Sequence, residues 1–203
     1  MTRISTIIFI VVLILFEQCS TTSGTELTKE ERDFAINELV SSRDNLLSTI
    51  NGLSEEQLNF KNNESSWSIA QCMEHITLFE NVMFEVLEES LELPADPERR
   101  KDLRFTDSEL IAHVSDRTNS AKTTEEFEPT GKYGNHSLTV IEFIDKREKH
   151  IKYITTTTDD LRNHFVSFGS ADAYQLLLYM SSHSERHLQQ IKQILNNKDF
   201  PNN

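Results

Sequence analysis

The sequence predicts an all-α protein, a four-helix bundle preceded by an N-terminal export signal or membrane anchor. Four long segments carry apolar residues at helical intervals of three and four, whereas strand-type alternation is hard to find. Five glycines and four prolines are few for 203 residues, so little interrupts long helices. One extended connection separates the second and third long helices, and an irregular α-fold is the alternative arrangement, because a helix pattern alone does not determine topology.

The first long helix begins at Thr28, which has the spacing of a capping box with Glu31. Its apolar positions recur at helical intervals: Phe34, Ala35, Leu39, Leu46, Ile50 and Leu53. Asn51-Gly52 ends it, and the connection at 54–66 has room for one short helical turn.

The second helix begins near Trp67, where Ser68 and Gln71 again have capping-box spacing, and it stops before Pro94. Its apolar stripe is Ile69, Cys72, Ile76, Phe79, Met83 and Val86. The stretch 94–136 is the least regular part of the chain, and a short helix is expected at about 108–117.

The third helix is expected from about Leu138 to Thr155, and the fourth begins after Gly169-Ser170 and continues to about Asn196. In the third helix the predicted inward residues are Val140, Ile141, Ile144, Ile151 and Ile154. In the fourth, the predicted inward stripe is Leu176, Met180, His183, His187, Ile191 and Ile194.

Residues 1–24 are predicted to be a signal peptide or a lipid or membrane anchor, ahead of a bundle domain at 28–198. Arg3 precedes an apolar run from Ile4 to Phe16, which is shorter than the roughly 20 residues of a spanning helix. This layout predicts an extracytoplasmic protein, periplasmic or secreted. Cys19 leaves a lipoprotein version open, although Glu17 and Gln18 match a lipobox poorly; a short buried helix is the other reading.

A net charge of −13 argues against nucleic acid as a partner, because no basic patch stands out. The mixed clusters at 98–104 and 145–153 are interpreted as solvated surface. If Cys19 is removed or lipidated, Cys72 is the only cysteine left. The mature domain then forms no internal disulfide, and its stability comes from the core.

His183 and His187 lie four residues apart within the apolar stripe of the fourth helix. Two imidazoles with this spacing can reach one ion from one helix face. His75 interrupts the second helix's stripe in the same way, between Cys72 and Phe79, and is a candidate third ligand. For each of the three histidines, the alternative is a core histidine bonded to a carbonyl.

Other polar side chains near these histidines have less definite roles. Glu74 and Gln190 flank the motifs and could orient ligands or a bound water, although Glu74 could equally be solvated. Arg186 pairs either with a substrate carboxylate or with a surface acid. Trp67 is interpreted as a core plug and Cys72 as a small core residue. The remaining histidines are predicted not to be ligands: His113, His136, His150 and His164.

The segment "WSIAQCMEHITLFE" (67–80) followed by "HSERHLQQI" (183–191) resembles the DinB/YfiT-like superfamily of metal-dependent enzymes. The resemblance covers roughly residues 28–198. It implies a four-helix bundle of up-down-down-up order and a three-histidine metal site. The implied ligands are His75, His183 and His187.

Three imidazoles leave a divalent ion with an open position, which is typical of catalytic sites and suits water activation. The ion could be zinc, nickel, iron or manganese. The resembled superfamily includes hydrolases and thiol-dependent S-transferases. Because the usual thiols are cytoplasmic, predicted export favours a hydrolase-like enzyme acting on a small-molecule substrate. A thiol S-transferase is the alternative, and a non-catalytic metal- or ligand-binding bundle is the second. The sequence leaves open whether the chain forms a homodimer.

Overall fold

The protein is described by a computed structural model over residues 25–118, 122–167 and 170–202. These residues form six α-helices and two short 3-10 helices, so the prediction of an all-helical protein is confirmed. The α-helices are α1 (Lys29–Ile50), α2 (Glu55–Asn59), α3 (Ile69–Leu91), α4 (Asp107–Ser115), α5 (His136–Thr156) and α6 (Ala173–Leu195). The 3-10 helices are Pro97–Asp102 and Glu125–Phe127.

Capping boxes begin four of these helices. The two predicted boxes, at Thr28 and Ser68, are both present, with each hydroxyl accepting from the backbone N–H three residues later. Two more, at Ser54 and Thr106, begin the short helices α2 and α4. Each cap contributes about 1 kcal/mol, which matters most for helices this short.

The long helices α1 and α5 run antiparallel. Arg32 near the start of α1 donates to the carbonyl oxygen of Ile154 near the end of α5. About two turns further along α1, the carbonyl of Leu39 accepts from Arg147, in the middle of α5. The contacts therefore run in opposite directions along the two helices.

Helix α3 runs parallel to α5 and antiparallel to α6. Phe84 of α3 contacts both His150 and Tyr153 of α5, and the ring of Phe79 lies 3.8 Å from that of His183 in α6. One turn earlier in α3, His75 meets His187, one turn later in α6. The order of the four long helices is thus up, down, down, up, which brings the two predicted histidine motifs together.

Two apolar clusters fill the interior, and a polar layer separates them. One cluster contains the second half of α3 and the first half of α6; the other contains the first half of α3 and the end of α6. Each long helix contributes buried polar residues between the two clusters, among them Ser42, Glu80, Arg147, His150 and Ser184. The three histidines of the predicted metal site are buried in this region as well.

The predicted inward face of α5 is partly wrong. Ile141, expected inside, is 61% exposed, whereas Phe143, Arg147 and His150 are buried. The interpretation of 145–153 as solvated surface fails at Arg147 and His150 for the same reason. The buried carboxylate of Glu80 contacts both side chains and compensates their burial. On α1, Phe34 is likewise 41% exposed.

The predicted export signal, residues 1–24, and Cys19 lie outside the described residues. Within the described part of the chain, no helix is long and apolar enough to span a membrane. Cys72 is fully buried, and burial raises the pKa of its thiol to about 12. That environment suits the predicted small core residue.

Candidate metal centre

Helices α3 and α6 bring three histidines to one point. The Nε2 atom of His183 lies 3.2 Å from the Nε2 atom of His75 and 3.2 Å from that of His187. One ring nitrogen from each residue lies within 4.8 Å of those of the other two. The exposed fractions are only 4, 8 and 7% for His75, His183 and His187. The arrangement depends on the antiparallel packing of the helices, because the motifs are far apart in sequence.

The separation of the ring nitrogens fits a shared ion. Imidazole nitrogens at 2.0–2.1 Å from a tetrahedral zinc ion are about 3.3 Å from one another. The two observed separations of 3.2 Å are close to that value. Among the described residues, these three histidines form the group that could hold a metal ion.

Hydrogen bonds at the outer ring nitrogens fix the tautomers of two histidines. Nδ1 of His75 donates to the carbonyl oxygen of Phe127 at 2.7 Å, so its Nε2 carries a lone pair. Nδ1 of His187 donates to Oε1 of Gln190 at 3.0 Å. The same Oε1 accepts from Arg117 at 3.1 Å, which fixes the orientation of the amide. The Nε2 atoms of His75 and His187 therefore both present lone pairs towards His183.

His183 is the least satisfied of the three. In the described part of the chain, its Nδ1 is buried and has no hydrogen-bond partner. A proton on its Nε2 could be donated well to only one of the two facing lone pairs. A metal ion would accept the Nε2 lone pairs of all three histidines at once, with the proton of His183 on its Nδ1. The donor set therefore fits a metal.

Burial keeps the histidines neutral, as metal ligands must be. It is the main cause that lowers the pKa of His75, against the hydrogen bond to Phe127. Burial, then the neighbouring imidazoles, lower the pKa of His183 well below its ordinary range. His187 is shifted in the same direction, mainly by burial and by His75. Protons therefore compete weakly for these nitrogens near pH 7.

A cavity of about 830 Å³ opens beside the histidines. The ring of Trp67 lies 4.7 Å from that of His75 and 6.1 Å from that of His187, between centroids. Phe79 stacks on His183 on another side of the cluster. The volume of the cavity is within the range of small-molecule binding sites.

A family model described as the DinB superfamily matches residues 38–191, about three quarters of the chain. The chain belongs to the DinB superfamily. The matched region contains both histidine motifs and begins and ends inside the predicted bundle domain at 28–198. No curated protein and no solved structure matches this DinB superfamily chain significantly.

Of the two flanking residues in this DinB superfamily site, Gln190 contacts a histidine and Glu74 anchors a loop. Oε1 of Gln190 accepts from Nδ1 of His187 and orients that ring. The carboxylate of buried Glu74 accepts from the backbone N–H groups of Thr130, Gly131 and Lys132. Its contacts are thus with the segment that follows the Phe127 turn, and it is not solvated.

The other four histidines lie away from the cluster. His113 is exposed and stacks on Phe105, and His136 is half-buried beside a second, smaller cavity. Nδ1 of His164 bonds to the carbonyl of Ser90. His150, expected on a polar face, is instead buried against Glu80 in the core. None belongs to the group of possible ligands found in the described residues.

Sequence reasoning missed three contributors to the site. Trp67, interpreted as a core plug, packs against the rings of two of the histidines and lines the cavity. Phe127 acts through its carbonyl, which no sequence pattern distinguishes from any other carbonyl. Arg117 lies in the irregular connection, and only the folded chain brings it to Gln190.

Proposed function

We propose that this DinB superfamily chain is a metal-dependent, hydrolase-like enzyme acting on a small molecule. His75, His183 and His187 would hold one divalent transition ion, from among zinc, nickel, iron and manganese. The superfamily is typically metal-binding, and the cluster of three histidines fits such a protein. The observation that carries the proposal is the convergence of ring nitrogens at 3.2 Å beside a cavity of substrate size.

The chemistry follows from the number and type of ligands. Bound by three neutral imidazoles, such an ion keeps at least one position open and lowers the pKa of a bound water towards about 7. The main-chain carbonyl of Phe127 and the amide of Gln190 keep His75 and His187 in the ligating tautomer. Trp67 packs against the ring of His75 and Phe79 against the ring of His183, and both limit the access of water to these rings.

The test begins with metal analysis of the purified protein and of the His183→Ala/His187→Ala variant. The matched control is His113→Ala, which removes an exposed histidine that lines the same cavity. We expect about one equivalent of metal in the parent and the control, and none in the double variant. No metal in the parent after reloading would return the three residues to ordinary core histidines.

Activity is then measured against panels of esters, amides and thiol adducts. Hydrolysis that disappears with a chelator and returns with added metal supports the proposal. Thiol transfer without hydrolysis would support an S-transferase instead. A metal whose removal lowers only the melting temperature would indicate a non-catalytic bundle.

We also propose that residues 1–24 direct this four-helix bundle out of the cytoplasm. The charged residue Arg3, the apolar run after it and the polar, small-residue stretch that follows that run in the sequence support this. Cell fractionation with mass spectrometry of the mature N-terminus tests it. An intact chain in the cytoplasm would contradict export, and a lipid on Cys19 would identify the lipoprotein version.

A further inference from the structure

Positively charged side chains are concentrated around the cavity beside the histidines, although the protein as a whole is acidic. Four cationic side chains line the cavity, against two acidic ones, whereas the whole chain carries a net charge of −13. The cationic residues are Arg104, Arg117, Lys122 and Arg186, and the acidic ones are Asp116 and Glu128. A surplus of this sign favours anionic ligands and lowers the affinity for cationic ones.

Two of these cations are held next to the histidine cluster. Arg117 donates from Nη1 to Oε1 of Gln190, the residue that orients His187. Arg186, one turn before Gln190 in α6, donates to the carbonyl oxygen of Asp116, the residue before Arg117. Both guanidinium groups therefore lie between α6 and the 116–117 segment, at the level of His187.

In the part of the chain that the structure describes, a hydrogen bond to an amide, and not an ion pair with a carboxylate, holds Arg117 in position. The side chain is half-buried and donates to a neutral amide; across the described residues it forms no ion pair within 4.0 Å. Burial, then the charge of Arg186, lower its pKa, the direction expected for a cation that lacks a counter-ion. The carboxylate of Asp116 is bonded to the backbone and hydroxyl of Thr118. An incoming oxyanion would supply the missing charge-assisted bonds.

Another part of the lining is apolar, beside several Ser, Thr and Gln side chains. Phe79, Phe105, Leu110, Phe127 and Tyr179 form this largely aromatic wall of the cavity. Such a wall binds hydrocarbon or aromatic bodies, whereas the arginines bind a planar oxyanion at one point.

We propose that Arg117 and Arg186 form an oxyanion subsite, so that the cavity selects amphipathic carboxylates with an apolar body. The inference rests on the proposed function for the reacting centre, the three histidines. A ligand held at one end by the arginines presents its other groups along the aromatic wall beside that centre. Arg117 and Arg186 are thus specificity-determining residues.

The experiment compares two probes of nearly the same shape, 4-phenylbutyrate and its neutral amide, 4-phenylbutyramide. Binding is followed by the fluorescence of Trp67, the only tryptophan in the chain, which lines the cavity. The full-length protein is titrated both metal-free and metal-loaded. In the metal-free form a carboxylate cannot bind through an ion, so any preference for it comes from the protein.

We expect the metal-free parent to bind the carboxylate at least about tenfold more tightly than the amide, as for a charge-assisted hydrogen bond. Arg117→Gln and Arg186→Gln should each reduce this preference several-fold, because the carboxylate loses a charge-assisted bond and the amide loses at most a neutral one. Lys192→Gln, an exposed cation on the same helix, is the matched control and should keep the preference. Raising the salt concentration should weaken the carboxylate alone.

Equal affinity for the two probes, no binding of either, or a preference that survives both arginine substitutions would overturn the inference. An amide affinity close to that of the parent shows that each variant keeps the shape of the cavity. The failures are separable, because the metal-free titration does not depend on the ion. A parent that binds metal without carboxylate preference contradicts only the subsite, whereas a carboxylate preference without metal contradicts only the proposed function.

Discussion

The three imidazoles are supported in different ways, and the differences predict how each responds to substitution. His75 is fixed by a main-chain carbonyl, which no side-chain change at position 127 removes. His187 depends on the side chain of Gln190. His183 is held by the stacked rings of Phe79 and Tyr179 and by the facing nitrogens of its two partners. Gln190 is therefore the residue through which the orientation of a ligand can be tested without removing the ligand.

We expect Gln190→Leu to weaken metal affinity about 10–100-fold, because His187 loses the acceptor that fixes its tautomer. Gln190→Glu retains an acceptor and should weaken it much less. Competition with a chromophoric chelator measures both. Gln193→Leu, an exposed glutamine on the same helix, is the matched control. Parent-like affinity in Gln190→Leu would show that the hydrogen bond does not set the orientation of His187.

Glu74 allows a second test at the residue scale. Its carboxylate accepts three backbone N–H groups, so Glu74→Ala should cost about 1–3 kcal/mol of stability and loosen the loop. Hydrogen exchange of the amides of residues 130–132 should accelerate, and urea unfolding gives the stability. Glu88→Gln, exposed on the same helix, should change neither. Unchanged exchange at these amides would rule out the anchoring role.

At the scale of the element, the sequence predicts the buried face of one helix better than that of another. The difference depends on the residue types that the buried face contains. In α6 the predicted stripe is buried throughout, because apolar residues continue it on both sides of His183 and His187. In α5 the buried face includes Arg147 and His150, which pattern alone places in solvent. Their burial depends on Glu80, in a different helix. The same limit explains why Arg117 and the carbonyl of Phe127 could not be found from sequence.

The buried pair of Glu80 and Arg147 predicts a large loss of stability when it is broken. Burial alone would raise the pKa of Glu80, but the charge of Arg147 and the hydrogen bonds of His150 and Arg147 hold it below its ordinary value. Glu80→Gln leaves the Arg147 guanidinium buried without its carboxylate and should cost about 3–5 kcal/mol in urea unfolding. Arg147→Met should cost a similar amount.

The control for this pair is an exposed pair on the same helix. Lys149→Ala breaks an ion pair with Asp145, four residues away, and should leave the stability almost unchanged, because solvent screens an exposed pair. The double variant Glu80→Gln/Arg147→Met removes both charges, so it should be more stable than either single variant. Additive losses in the double variant would show that the two charges do not compensate each other.

At the scale of the whole molecule, the up-down-down-up order places two sites of different character in one polar layer. The histidine cluster is open to the cavity on the α3–α6 side, while the Glu80–Arg147 pair is closed within the core. Ser184 links the two, because it follows His183 in α6 and accepts from Arg147. The hydrogen-bonded network of Glu80, Arg147 and Ser184 thus lies next to the proposed ligands and supports their positions in α3 and α6.

This layer predicts the pH dependence of stability of the metal-free protein. Burial lowers the pKa values of all three clustered histidines below their ordinary 6.5, so the unfolded chain binds more protons than the folded one in acid. Their contribution is complete above pH 6.5 and is lost as the pH falls below it. The free energy of unfolding should fall by up to about 1.4 kcal/mol per pH unit for each histidine.

Urea unfolding between pH 7.5 and 5 measures this slope, and the His183→Ala/His187→Ala variant isolates the part due to the cluster. The slope of the variant must be subtracted from that of the parent, because other groups titrate in the same pH range. Burial raises the pKa of Asp172 to about 6, which gives a slope of the opposite sign. The variant should have the shallower acid slope. The metal-loaded parent should be more stable at neutral pH and lose that advantage in acid, because protons displace the ion. Parallel slopes for the parent and the variant would show that the clustered histidines are not held neutral by the fold.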